Sequence, residues 1–170
     1  MWIGLYTSDM AMTWLHNGDR LALRALCEAD GERLRRLRGR LSPETLYRRF
    51  LSPPPSCERL LPRLLDVDHW DREAIVALAG DEIVAVARYA RTPGAAAAEV
   101  AVIVADDWQH RGLGPLLLRR LARLARRRGI SAFTGTMAGE NRPAQLMVRA
   151  LSPSLRVRVS SGSVEFEVPL

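Results

Sequence analysis

Gly112 and Gly114, two residues apart at the start of an amphipathic run, are the positions whose chemistry is most constrained by their surroundings. The segment Gln109-His110-Arg111-Gly112-Leu113-Gly114 follows an apolar β-type run, Glu99-Val100-Ala101-Val102-Ile103-Val104. It precedes Pro115-Leu116-Leu117-Leu118-Arg119-Arg120-Leu121, a helical pattern. A strand that feeds a glycine-rich turn opening a helix aims several backbone N–H groups at one place. The helix dipole adds positive potential there, so the turn suits a phosphate or pyrophosphate. Glycine at 112 and 114 lets a ligand approach the backbone closely and permits positive φ.

Two common phosphate loops are excluded. A Walker loop needs a lysine, and all 25 basic residues of this chain are arginine. The dinucleotide fingerprint needs a third glycine at position 117, which is leucine. Among other groups, Glu99 on residue type alone reads as a solvated strand-end carboxylate. His110 reads as a surface residue of the turn. His69, between Asp68 and Asp71, reads as a loop residue lining an acceptor groove, and three separated histidines form no metal set. Arg111, Arg119 and Arg120 suit either phosphate contact or a solvated helix face, and Trp108 suits packing behind the turn. Cys27 and Cys57 have neither metal nor redox spacing, which fits a reducing cytoplasm.

The elements that must position these groups follow from periodicity and turn chemistry. Residues 1–18 show no periodicity and read as an irregular extension to a single domain over 19–170. A strand is expected at 20–25, with Leu21 and Leu23 on one face. Asp30 stands where it would cap a helix over 31–40, with Leu34 and Leu37 inward. Ser42-Pro43 starts a second helix as N-cap and first helical residue, with Leu46, Tyr47 and Phe50 at helical spacing. Ser52-Pro53-Pro54-Pro55 ends it. Residues 57–66 form a short helix or loop. A hairpin spans 74–79 and 83–89 about Gly80-Asp81. The central strand is 99–104, and Gly129 stops the helix over 115–128. A strand at 132–137, a helix from 143 to about 151, and strands at 155–160 and 164–168 close the chain.

Composition is that of a soluble globular protein, 48% hydrophobic and 26% charged. No apolar stretch approaches a membrane span, and the N-terminus makes a poor signal peptide. The net charge of +6 comes with abundant alanine and arginine, as GC-rich coding produces. No reader motif or aromatic interleaving points to nucleic acid, so a polyphosphate ligand or an acidic protein surface is the simpler partner.

The element order β-α-α-β-β-β-α-β-α-β-β and the turn at 109–114 resemble the GCN5-related N-acetyltransferase superfamily. Its acetyl-CoA loop reads Gln/Arg-x-x-Gly-x-Gly/Ala and matches at Gln109, Gly112 and Gly114. The segment Leu41-Ser42-Pro43-Glu44-Thr45-Leu46-Tyr47-Arg48-Arg49-Phe50 is similar to one in the Pat-type bacterial protein lysine acetyltransferases. So are Asp66-Val67-Asp68-His69, Ala98-Glu99-Val100-Ala101, Asp106-Asp107-Trp108-Gln109 and Glu140-Asn141-Arg142-Pro143. The resemblance covers about residues 19–170.

It implies an α/β fold, a mixed and mostly antiparallel sheet with helices on both faces. It implies acetyl-CoA as cosubstrate, held by Gln109, His110, Arg111, Gly112, Leu113 and Gly114 at the pyrophosphate. Val102, Ile103 and Val104 would pair with the pantetheine arm, one of their N–H groups polarising the thioester carbonyl. Asn141 would face the pantetheine, and Glu99 would be the general base, made more basic by burial. No metal is implied.

Many relatives place an acidic tyrosine near the last helix, whereas this chain has only Tyr6, Tyr47 and Tyr89, none after the loop. Water suffices as proton source for a thiolate. Pro115 is a second departure, lacking the hydroxyl or N–H that many relatives have there. Pat-type proteins often carry a cyclic-nucleotide-binding or synthetase-like domain; the length implies a stand-alone domain, as monomer or homodimer, in the cytoplasm. The implied acceptor is a protein lysine, acyl-CoA synthetases among the candidates. A small amine, a non-catalytic acyl-CoA-binding domain and, last, a nucleic-acid module are the other readings.

Overall fold

In the computed structural model, residues 10–15 and 17–170 are described. Eight strands form one sheet: β1 Ala11–Trp14, β2 Arg20–Ala25, β3 Arg72–Ala79, β4 Glu82–Ala90, β5 Ala97–Val104, β6 Ala132–Ala138, β7 Arg156–Ser160 and β8 Ser163–Pro169. Their order across the sheet is β1-β2-β3-β4-β5-β6-β8-β7. Only β5 and β6 run parallel; every other neighbouring pair is antiparallel. The helices are α1 Gly31–Gly39, α2 Pro43–Phe50, α3 Cys57–Leu65, α4 Leu113–Arg127 and α5 Arg142–Arg149.

Strand alternation divides the core into two layers. Leu21 and Leu23 of β2, Ile75 and Ala77 of β3 and Tyr89 of β4 pack with Leu117, Leu118 and Leu121 of α4 on one face. Ala74, Val76, Ile83 and Val86 pack with Leu34 and Leu37 of α1 and Leu61 of α3 on the other. The helices therefore cover both faces, as their apolar stripes require.

Several local expectations are corrected. Within the segment read as an irregular extension, Ala11–Trp14 forms an edge strand on β2; residues 1–9 and 16 lie outside the described residues. Asp30 does not cap α1 with its side chain. Its carboxylate instead accepts from both terminal nitrogens of Arg24, at 2.6 and 2.7 Å, and from Cys27 N–H. Ion pairing and burial outcompete the cap. Tyr47 shares the spacing of Leu46 and Phe50 on α2 but points outward, 52% exposed. Ser42 does cap α2, its Oγ accepting from Thr45 N–H with Pro43 following.

One feature of the sheet sets up the site. The β5–β6 ladder pairs Ala97, Ala98 and Glu99 with Ala132, Phe133 and Thr134, and then stops. β5 stays paired to β4 as far as Val104. From residue 100 onward, the β6-facing backbone edge of β5 borders open space instead of a strand.

Candidate active site

That space is a cavity of about 450 Å³, lined by residues 100–104 of β5, Gln109 to Pro115 apart from Arg111, the start of α5 and the end of β6. One side of it is formed by β6 and β8. Gly135 lies opposite Phe166 of β8, and its bare Cα leaves room for the Phe166 ring, which itself lines the cavity. A polar backbone edge in an apolar cleft of this size can pair with an extended, amide-bearing ligand as an added strand would.

At one end of the cleft stands the turn into α4. His110 and Gly112 both hold positive φ, 61° and 80°, and α4 starts at Leu113 with Gly112 as N-cap. Among the described residues the backbone N–H groups of residues 110–114 donate to no backbone carbonyl. These are the orphan donors of a helix start, gathered at one point with the positive end of the dipole, and they fit a pyrophosphate. Pro115 sits within the first turn of α4, where an N–H would have no helical partner, so its missing donor costs the helix nothing. Gly114 is buried against Met147, whose Sδ would lie 3.1 Å from an added Cβ, and near Val102 and Val104. It closes the gap between α4, α5 and β5.

The side chains of the turn hold it in place. Gln109 Nε2 donates to Thr45 Oγ1 at 3.1 Å and to the Val104 carbonyl at 3.2 Å. Asp106 accepts from Ser42 N–H, and Asp107 pairs with Arg40. The segments 40–50 and 106–109 thus bolt together through polar groups that each run supplies. Arg111 reaches away from the turn: it pairs with Asp19 at 2.6 Å, donates to the Asp107 carbonyl, and stacks over Trp108 at 4.7 Å. Its guanidinium is committed to the protein, which leaves its backbone N–H as the group free for a ligand. Arg119 lies exposed on α4. Trp108 packs between the two core layers, behind the turn as expected.

Asn141 lines the cleft at the N-terminus of α5, where its Oδ1 accepts from Ala144 N–H. The group left for a ligand is its NH₂. Thr45, Arg48, Arg49, Val100, Thr136, Met147 and Phe166 also line the cleft, and sequence reasoning missed them. Thr45 had a signal, because it lies in a motif similar to the Pat-type segment. Phe166 and Thr136 had none, since strand splaying alone brings them there.

Glu99 is the last β5 residue paired with β6, where the free edge begins. Alternation puts it on the face of Ala101 and Ile103, toward α2 and α3. It is exposed, so the burial expected of it is absent. Its charge acts on two guanidiniums, Arg49 of α2 and Arg88 of β4. Burial pulls both arginine pKa values down, and Glu99 opposes that shift.

His69 does not line the cleft. Its Nδ1 lies 2.8 Å from Oε1 of Glu73, a carboxylate only 2% exposed. Arg128 joins Glu73 Oε2 at 2.7 Å and donates to the Tyr89 hydroxyl, which donates in turn to the Trp70 carbonyl. Burial pushes the Tyr89 hydroxyl pKa up, although Arg128 works against it. This network joins β3, β4 and the end of α4, and it holds the Tyr89 hydroxyl between Arg128 and the Trp70 carbonyl. Among the described residues, no tyrosine lines the cleft, and no group of three His, Cys, Asp or Glu could hold a metal. No helix among them is long and apolar enough to cross a membrane.

Fold, free strand edge and phosphate turn together define an acyl-CoA-dependent transferase. The Acetyltransferase (GNAT) family matches over residues 43–151, and the chain belongs to it. Acetyl-CoA is that family's acyl donor. An acetyltransferase of Pseudomonas aeruginosa is 36% identical over 75% of this chain and 72% of its own length. Acetyltransferase Pat of Mycolicibacterium smegmatis is 33% identical over 91% of this chain and 47% of its own, so the chain spans about half that relative. The crystal structure of the GNAT domain of S. lividans PAT superposes with a TM-score of 0.85 at 29% identity, covering 95% of this chain and 97% of that one.

Proposed function

We propose that this acetyltransferase transfers acetyl from acetyl-CoA to a protein lysine ε-amine, by direct attack within a ternary complex, with Glu99 as general base. The observation that carries the reading is the position of Glu99 at the point where β5 loses its partner. A carboxylate there stands beside the cleft that fits the pantetheine arm and is itself exposed, within reach of an incoming acceptor. The coenzyme supplies an activated acetyl thioester. The N–H groups of residues 110–114 hold its pyrophosphate, and the edge of Val102, Ile103 and Val104 with the Asn141 NH₂ holds the arm. Glu99 takes a proton from the incoming ammonium through water, and an edge N–H of β5 stabilises the developing oxyanion. Water returns a proton to the departing thiolate. The resemblance of residues 41–50 to the Pat-type protein lysine acetyltransferases is what points to a protein acceptor, with acyl-CoA synthetases as candidates.

A small amine is the second reading. Arg49 and Arg88 beside Glu99 count against a polycation among these, because like charges repel at close range.

The test is thiol release from acetyl-CoA by the wild type and Glu99→Gln, offered an acyl-CoA synthetase, lysine peptides and a small-amine panel. The expected result is turnover with the protein acceptor, falling about 10²- to 10⁴-fold in the variant while coenzyme affinity is kept. Turnover with small amines alone would move the acceptor, and unchanged turnover in Glu99→Gln would remove the base. Since the enzyme contains no lysine, acetyl-lysine in the products reports the acceptor alone.

A further inference from the structure

Behind β5, on the Glu99 face, lies a second and smaller cavity of about 50 Å³. Three half-buried arginines line it: Arg38 of α1, Arg49 of α2 and Arg88 of β4. None of the three forms an ion pair among the described residues. Arg38 Nε is buried with no hydrogen-bond partner. Arg88 donates one N–H to the Arg63 carbonyl, and Arg49 lies over the Phe50 ring.

Elsewhere the chain pairs its inward arginines, Arg24 with Asp30, Arg91 with Asp71 and Arg128 with Glu73. A guanidinium drawn from water is costly unless an anion answers it. Glu99 acts on Arg49 and Arg88, and Asp66 on Arg88, but neither carboxylate comes within ion-pair distance; three such groups around one otherwise apolar cavity, with an orphaned donor, suit an anion from outside the chain.

Its position says whose anion that is. Ala101 and Ile103, next along the strand face from Glu99, line the cavity, and Arg49 lines both this cavity and the coenzyme cleft. A group held here belongs to the acceptor, beside the amine that Glu99 serves. The volume is several times the ~10–15 Å³ that admits a water, enough for a carboxylate and a methylene. Leu37, Leu61 and Val86 would pack the stem, while guanidinium forks match a planar carboxylate in two-point contact.

We propose that this cavity binds a carboxylate carried by the acceptor close to its reactive amine, so that the enzyme selects acidic-flanked amines. The proposal rests on the acetyltransferase reading with Glu99 as base. The carboxylate has two possible sources: an Asp or Glu side chain beside a target lysine, or the α-carboxylate of an amino acid.

The experiment compares kcat/KM for lysine peptides carrying Glu or Gln beside the lysine, and for free lysine against lysine amide. The wild type is expected to favour the carboxylate member of one pair at least ~10-fold, about 1.4 kcal/mol. Arg88→Gln and, independently, Arg38→Gln should bring that ratio close to one. A folding defect lowers both members of a pair together and leaves the ratio alone. Preference in the peptide pair assigns the side-chain source, and preference in the lysine pair assigns the α-carboxylate. Equal rates in both wild-type pairs, or a ratio that survives both substitutions, would overturn the proposal.

If no acceptor turns over, the acetyltransferase reading fails separately. The cavity is then judged by titrating propionate into the wild type and Arg88→Gln by NMR. Saturable binding confined to the wild type upholds the anion site, and no binding, or equal binding, rejects it.

Discussion

Gln109 Nε2 donates to Thr45 Oγ1 at 3.1 Å, joining the phosphate turn to α2 across sixty-four residues of sequence. Through this bond α2, whose Arg48 and Arg49 line the coenzyme cleft, keeps its distance from the N-terminus of α4. Thr45 has a second task, since its N–H completes the Ser42 cap of its own helix.

Replacing Thr45 by valine keeps the shape and removes the acceptor. Gln109 then loses one of its partners, at a cost of about 1 kcal/mol. The turn loosens, and the Kd for acetyl-CoA should rise several-fold, with kcat for a saturated enzyme nearly kept. Calorimetric titration of coenzyme into Thr45→Val measures this; an unchanged Kd would show that the bond does not position the turn.

Gly135 to alanine tests how closely the Phe166 ring is packed at the cleft. An added Cβ would lie 2.7 Å from Phe166 Cζ and 2.8 Å from Cε1, so the ring must move within a packed core. The expected loss is about 1–3 kcal/mol in urea denaturation, together with a higher KM for acetyl-CoA, because Phe166 also lines the cleft. Phe166→Leu in the same chain should return part of both. Stability and KM equal to wild type would remove this steric account.

Asp30 sets a pH dependence of stability. Its carboxylate is buried, and burial raises the pKa. The Arg24 fork and the Cys27 N–H outweigh burial and leave the folded-state pKa below the usual aspartate value. A depressed folded pKa means stability that is fully present above the unfolded pKa, about 3.9. That stability is lost as pH falls from there through the folded value. The wild type should therefore lose stability steeply below about pH 4. Asp30→Asn, which leaves Arg24 unpaired, should be about 3–5 kcal/mol less stable at neutral pH and flatter in acid. Urea midpoints between pH 3 and 7 for both proteins decide it; parallel curves would show that Asp30 does not set the acid limit.

The geometry of the turn at 109–114 was legible because its signal is local. A strand, glycine spacing and a helix start must be contiguous for backbone N–H groups to converge, so contiguous sequence records them. The hairpin about Gly80-Asp81, the Ser42-Pro43 helix start and the stop at Gly129 were legible for the same reason: each depends on a few neighbouring dihedrals. Helix α3 was read only as helix or loop, since Pro62 inside it argues locally against what packing of Leu61 enforces.

Side-chain destinations were not legible in this way. Asp30 sits one residue before a helix and reads as a cap, but turns to Arg24. His69 reads as a groove residue, but faces Glu73, while Tyr47 has core spacing and points to solvent. Each choice was settled by a partner distant in sequence or by which face the sheet covers. The sequence alone determined the order of elements from β2 onward apart from α3, the glycine turn at 109–114 and the carboxylate early in β5, because dihedral preference and periodicity act over a few residues. Tertiary structure alone decided where β5 and β6 part, that Phe166 lines the resulting cleft, and that Arg38, Arg49 and Arg88 gather around one cavity. Those are properties of surfaces folded against one another, and no local run of residues encodes them.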